Sequence, residues 1–195
     1  CRIPSNKLAK KLITLFGLPI AAPSANLSER TSVTNIMDID PILVKKIFVL
    51  KDKQSSHGLE STVVRIDTNN EIEVLRYGSI TVEDLNKFAK VKIKKKTSIS
   101  PGNLKKHYST LKPIRMNAKK LLKNEGLLNF GNNKLKSKII NLNLSNKKNL
   151  NEAAKNFYHF LHKLDQSECK KIAVAEIPDK GLGKTINDRL KRAIK

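Results

Sequence analysis

The sequence has no tryptophan, two methionines, two cysteines and only 5% aromatic residues. Cys1 and Cys169 form neither a metal-binding spacing nor a disulfide framework, so a reducing, cytoplasmic compartment is expected. No apolar run approaches the roughly 20 residues that span a bilayer, and no secretory pattern precedes the first predicted helix. Without such a signal, the glycosylation sequon Asn26-Leu27-Ser28 is coincidental. No repeat is present, no nucleophile triad can be assembled, and Glu60 has no second carboxylate with which to share acid–base work. His159 and His162 stand three apart on a predicted helix, but no cysteine or carboxylate cluster accompanies them, so no metal site is expected. Gly181-Leu182-Gly183-Lys184-Thr185 imitates the end of a P-loop, but the first glycine of that motif is replaced by Pro178.

Acidic residues are also scarce. Asp and Glu number 17 against 39 Lys and Arg, which gives a formal charge of +22. Such a charge attracts nucleic acid. The basic residues are 32 lysines and only 7 arginines, however, alongside 19 asparagines. That joint excess is what an AT-rich genome imposes on tolerant surface positions. Sites built for phosphate or bases favour the arginine fork instead, so any tRNA or RNA contact is expected to be incidental.

The hydrophobic pattern indicates an α/β protein. Leu8, Leu12, Leu15 and Phe16 form the apolar stripe of a helix capped at Ser5 and stopped by Gly17. Short buried strands are expected at 18–22 and 47–50, with a helix around 34–46 interrupted by Pro41. Residues 61–67 and 71–76 flank Thr68-Asn69-Asn70, a hairpin signal. Thr81-Val82-Glu83-Asp84 has the form of a capping box opening a helix to about Lys90. Residues 92–117 carry a lysine run, Ser100-Pro101-Gly102 and His107-Tyr108 without periodicity, and read as a linker. A second α/β pattern follows, with strands at 127–130, 139–142 and 172–177, a helix over 150–164 and a basic helix over 186–194. Gly181-Leu182-Gly183 reads as the turn before that last helix.

Two polar turns stand at the ends of apolar runs, Pro23-Ser24-Ala25-Asn26 and Leu59-Glu60-Ser61-Thr62-Val63. Short hydroxyl and amide side chains there suit a nucleotide or amino-acid ligand. Arg76 follows the second turn at the end of Val74-Leu75-Arg76. A guanidinium there is costly to bury unpaired, so a structural carboxylate and a ligand phosphate are both open as partners. Arg2 poses the same question.

Several ordered segments together resemble the long form of the threonylcarbamoyl-AMP synthase family. They are Arg2-Ile3-Pro4, Ala22-Pro23-Ser24-Ala25-Asn26, Ser32 with Thr34, Gly58-Leu59-Glu60-Ser61-Thr62-Val63-Val64, and Leu75-Arg76 with Gly78. In the linker they are Ser100-Pro101-Gly102 with His107-Tyr108, and beyond it Ala175-Glu176-Ile177-Pro178, Gly181-Leu182-Gly183 and Ile186-Asn187-Asp188-Arg189-Leu190-Lys191-Arg192-Ala193. The resemblance implies a partial YrdC-like twisted α/β domain over 1–91, an extended linker and active-site lid over 92–117, and a small Rossmann-like α/β domain over 118–195. The family's activity joins L-threonine, bicarbonate and ATP, with magnesium carried by the ATP, into threonylcarbamoyl-AMP and pyrophosphate. A separate tRNA threonylcarbamoyl transferase then uses the product.

By resemblance Arg2, Ala22, Ser61 and Thr62 face threonine. Ser24, Asn26, Ser32, Arg76, Ser100 and His107 face ATP, and Arg76 and Arg2 carry catalysis through charge neutralisation. Departures include Glu29 for a usual glycine, Arg65 for an aspartate, Tyr77 for a proline, Asn103 for a methionine and Thr110 for a proline. The family's lysine-x-arginine nucleotide signature is not among these residues. The chain is therefore expected to be a fragment that is inactive alone. The rival reading is an RNA-binding module that keeps the YrdC-like fold without synthase activity.

Overall fold

A computed structural model describes residues 4, 6–22, 25–27, 30–50, 55, 57–92 and 108–194. Expectations placed on Arg2, Ser24, Ser100 and His107 lie outside the described residues. Helix α1 spans Lys7–Phe16, with Asn6 as its N-cap accepting from the Ala9 amide and Gly17 closing it at φ 73°. Only a residue without Cβ enters that left-handed conformation at no steric cost. The expected apolar stripe forms, but it is not covered among the described residues. Leu12, Leu15 and Phe16 are 45, 75 and 59% exposed.

Among the described residues the expected strands at 18–22 and 47–50 pair with no neighbour, and Phe48 is 89% exposed. An isolated apolar run specifies a strand only where a neighbour supplies hydrogen bonds and cover. The helix expected over 34–46 is likewise reduced to a 3₁₀ turn at Ile36–Asp38 and one α-helical turn, α2, at Pro41–Val44. Asp40 caps that turn and Pro41 occupies its first position, where a missing N–H costs nothing.

The hairpin forms as β1 (Val63–Ile66) and β2 (Ile72–Arg76), antiparallel, with Asn70 in the left-handed region of the turn at φ 56°. Arg65 stands opposite Glu73 in this register and donates from Nε at 2.9 Å, a cross-strand ion pair. The capping box is present at the start of α3 (Val82–Leu85), which ends well before Lys90. Strand β3 (Val91–Lys92) then adds in parallel to β2.

The second sheet is parallel throughout. Its strands are β4 (Ile114–Arg115), β5 (Glu125–Asn129), β6 (Asn141–Asn143) and β7 (Lys171–Val174), in the order β4-β7-β5-β6. Ile114 and Arg115 thus join this sheet from a segment read as linker. Every residue of β5 is buried, as a parallel strand covered on both faces requires.

Helix α4 (Leu150–Gln166) lays Ala153, Ala154, Phe157, Leu161 and Leu164 on the sheet, as its spacing predicts. Helix α5 (Gly181–Ala193) packs beside α4. It begins at Gly181, which enters at a left-handed φ of 50° after bends at 179–180, so the glycine pair makes the corner into the helix and belongs to its first turn. Glu125 is buried at the start of β5 and accepts two hydrogen bonds from Arg115, at 2.9 and 2.7 Å, which hold its carboxyl below the usual range. Among the described residues no helix is long and apolar enough to cross a membrane.

The two sheets belong to units joined by specific contacts. Gly58 lies directly against the α4 backbone, where an added Cβ would come within 1.9 Å of the Ala154 carbonyl oxygen. Thr31 meets His162 at 2.9 Å, and Asp38 meets His159 at 2.9 Å. The two histidines therefore face the first unit as separate interface contacts. Among the described residues no group of three or more His, Cys, Asp or Glu could hold a metal ion.

Candidate active site

The site is built where the end of the β1–β2 hairpin meets the loop that enters it. Arg76, the last residue of β2, turns its guanidinium across that loop and donates to the Ser61 carbonyl from Nε at 3.2 Å and Nη2 at 2.9 Å. Arg76, Ser61 and Thr62 are thereby held on one surface. The Thr62 hydroxyl donates to the Ile80 carbonyl at 2.6 Å and accepts from the Ile80 amide at 3.0 Å. Its main work is to tie residues 62 and 80 together. The Ser79 amide closes the same loop onto the Glu60 carbonyl at 2.9 Å.

Glu60 stands behind this surface and gathers donors from three distant segments. Its carboxylate accepts from the Ser32 hydroxyl at 2.6 Å, the Tyr158 hydroxyl at 2.7 Å and Arg189 Nε at 3.0 Å. Burial pushes this carboxyl up. The Arg189 charge and the Ser32, Tyr158 and backbone hydrogen bonds outweigh it, so its pKa lies below the ordinary 4.5. Burial and then the Glu60 charge hold the Tyr158 phenol well above its ordinary value, which keeps it a neutral donor.

Arg189 is fully buried and also donates to the Tyr77 carbonyl and to Asp188, each at 2.6 Å. Burial alone would lower its pKa, but its phenolic and anionic neighbours hold it above the ordinary value and keep it charged. The sequence offers Glu60 no second carboxylate, and the structure gives it a buried cation and two hydroxyls instead. The available signal was a second arginine, Arg189, inside an otherwise apolar helical stripe.

Because the Glu60 pKa is depressed on folding, its stabilising contribution is fully present above pH 4.5 and lost as the pH falls through the folded value. Urea unfolding followed from neutral pH downward is expected to show a midpoint that drops in this acid window. In Glu60→Gln the drop is expected to be smaller. An equal drop in both proteins would place the acid sensitivity elsewhere.

Other residues assigned from the sequence are placed as follows. Ser32 is drawn into the site through Glu60 rather than by standing free. The Asn26 amide donates to the Leu27 and Arg30 carbonyls at 2.9 and 3.1 Å, while its buried Oδ1 has no partner among the described residues. Asn26 lines a small cavity of about 140 Å³ that also holds Thr31 and His162. Ala22 is exposed.

A larger open cavity of about 910 Å³ lies in the second unit, beside Ala175 and Pro178, with Lys119, Lys120, Lys134, Lys136 and Lys148 among its walls. None of the sequence-assigned residues borders it.

Comparison with known proteins then decides the family. Residues 80–194 match the family model described as threonylcarbamoyl-AMP synthase, C-terminal domain. The chain belongs to the threonylcarbamoyl-AMP synthase family. Residues 1–78 match a second model, described as telomere recombination.

The family's curated members include a threonylcarbamoyl-AMP synthase from Pyrococcus abyssi, 26% identical over 98% of this chain and 62% of the relative. The Bacillus subtilis member is 36% identical over 58% of this chain and 35% of its own length. The chain thus spans about three fifths or less of these relatives. A crystal structure of P. abyssi Sua5 complexed with L-threonine superposes with a TM-score of 0.82 at 24% identity, covering 98% of this chain and 62% of that one. This establishes the two-domain α/β fold.

Proposed function

We propose that the chain is the part of an L-threonylcarbamoyladenylate synthase that holds threonine and the reacting phosphate. The carrying observation is the Arg76 guanidinium spread over the Glu60-Ser61-Thr62 loop, which places a fixed cation beside short hydroxyls at one surface. The threonine complex of the structural neighbour and the names of the curated relatives support the same reading.

The chemistry would run from L-threonine and bicarbonate, combined as an N-carboxy amino acid. Its carboxylate attacks the α-phosphate of ATP, and pyrophosphate leaves. Arg76 would neutralise charge on the phosphate, Ser61 would face threonine with Arg2 and Ala22, and Ser24, Asn26 and Ser32 would border the nucleotide. Magnesium would arrive with ATP. Ser100 and His107 would close over the site and keep water from a labile adenylate. The downstream partner would be a tRNA threonylcarbamoyl transferase, acting in the cytoplasm. The apolar face of α1, uncovered among the described residues, supports the further proposal that residues 1–195 alone do not turn over and that more polypeptide completes the site.

In the full gene product, Arg76→Ala is expected to lower threonine-dependent pyrophosphate release by about 10²-fold or more, the scale on which one preorganised charge partner acts. Arg76→Lys should recover part of the loss. Unchanged release in Arg76→Ala would remove the phosphate role.

A second reading, an RNA-binding module, rests on the lysine-walled cavity, whose five ammonium groups form no ion pair among the described residues. It requires RNA affinity that falls steeply with salt and ignores both threonine and ATP.

A further inference from the structure

The role of the second unit can be read from what it grips. We propose that the C-terminal domain is a positioning element of the ligand site, acting through a buried latch in which Arg189 and Tyr158 fix Glu60 and seat Tyr108. This rests on the functional reading above and assigns the latch residues a task within it.

Two walls of the ligand loop are held from α4 and α5. On one side the Glu60 carboxylate takes Tyr158 and Arg189 at 2.7 and 3.0 Å. On the other, the Tyr77 carbonyl takes Arg189 at 2.6 Å, and the Gly78 carbonyl takes the buried Thr185 hydroxyl at 3.0 Å. Residues 60–62 and 78 are themselves in backbone contact, since a Cβ at Gly78 would fall 2.2 Å from the Thr62 nitrogen. A shift of Arg189 therefore moves Ser61, and with it the carbonyl that orients Arg76.

The same side chains hold Tyr108 of the linker. Tyr108 lies under the Arg189 guanidinium at 4.7 Å and stacks on Tyr158 at 6.1 Å and 28°. Its backbone sits at φ 65°, a conformation that a bulky side chain adopts only when its surroundings impose it. Tyr108 is 2% exposed, so its ring is locked in the interface. The residue before it is His107, assigned from the sequence to the nucleotide. The latch thus sets both the threonine loop and the placement of Tyr108 within the linker.

The geometry separates positioning from mere stability. Replacing both members of a buried ion pair by apolar residues of similar volume often preserves stability, so the Glu60→Met/Arg189→Met double variant deletes the latch without stranding a charge between the two. Unchanged exchange of the β5 and β7 core amides checks that the fold is kept despite the lost Tyr77, Asp188 and Tyr158 partners. In the full gene product, calorimetric titration with L-threonine is expected to show affinity weakened by about 10- to 100-fold, the scale on which misplaced contacts act. Hydrogen exchange at the Ser79 and Ile80 amides, which are bonded to Glu60 and Thr62, should accelerate by a similar factor while core amides of β5 and β7 do not. Tyr158→Phe, which keeps the ring on Tyr108 and removes one donor, should give the same pattern more weakly.

Wild-type threonine affinity together with unchanged exchange in the double variant would overturn the latch. A wild-type protein that binds no threonine would overturn the functional reading instead, and the exchange pattern would still decide the latch.

Discussion

Replacing Arg189 by alanine is expected to destabilise the chain by about 3–5 kcal/mol at neutral pH, the cost of stranding one partner of a buried ion pair. The side chain is fully enclosed and serves Glu60, Asp188 and the Tyr77 carbonyl at once. Its removal leaves the Glu60 carboxylate with its hydroxyl donors Ser32 and Tyr158 but without its cation, the Tyr77 carbonyl without this donor, and Tyr108 without the cation over its ring.

The pH dependence gives the effect a signature. In the variant, burial acts on Glu60 with no opposing guanidinium, so its pKa rises and the group becomes neutral as the solution is acidified. The gap between wild type and variant should therefore be widest near neutrality and narrow toward pH 4.5, the ordinary value of the group. Urea denaturation of both proteins across that range measures it. A gap that does not change with pH would mean that lost packing, rather than the Glu60 charge, sets the cost.

The second large effect concerns Gly78. A methyl group at this position would stand 2.2 Å from the Thr62 nitrogen, 2.3 Å from the Ser61 carbonyl carbon and 2.5 Å from the Glu60 oxygen. All three are backbone atoms, so no side chain can rotate away and the two segments must part. Gly78→Ala is expected to cost about 1–3 kcal/mol as overpacking. Its larger effect should fall on function, because the displaced residues carry Ser61 and the carbonyl under Arg76. A loss of about 10²-fold in threonine-dependent turnover by the full gene product is expected.

Gly17→Ala is the control. Nothing lies within 4 Å of an added Cβ there, but φ is 73°. It should cost about 1–2 kcal/mol through backbone strain and leave turnover of the folded protein intact. Equal turnover in the two variants would show that the contact between 78 and 60–62 does not shape the site.

What the sequence made legible is local. The Asn69-Asn70 turn and flanking β-branched residues specify the β1–β2 hairpin, Thr81 and Asp84 cap each other within one turn, and the stripe from Ala153 to Leu164 fixes the buried face of α4. Arg76 was legible as a charged residue ending an apolar strand. The errors share a cause too. Residues 18–22 and 47–50 have the composition of strands, but a strand exists only through its neighbour, and among the described residues neither has one.

Glu60 was missed for the opposite reason, because its partners Tyr158 and Arg189 lie 98 and 129 residues away. Nothing within one turn or one hairpin of Glu60 announces a partner at that separation. The family motifs contained both Glu60 and Arg189, and only the fold shows that they are one device.

The most direct measurement of the functional account is pyrophosphate release by the full gene product with ATP and bicarbonate, comparing threonine, serine and no amino acid. Release that depends on threonine and is much weaker with serine is the expected result. Release indifferent to the amino acid, alongside RNA binding that collapses with added salt, would contradict the synthase reading and leave the fold as a binding module.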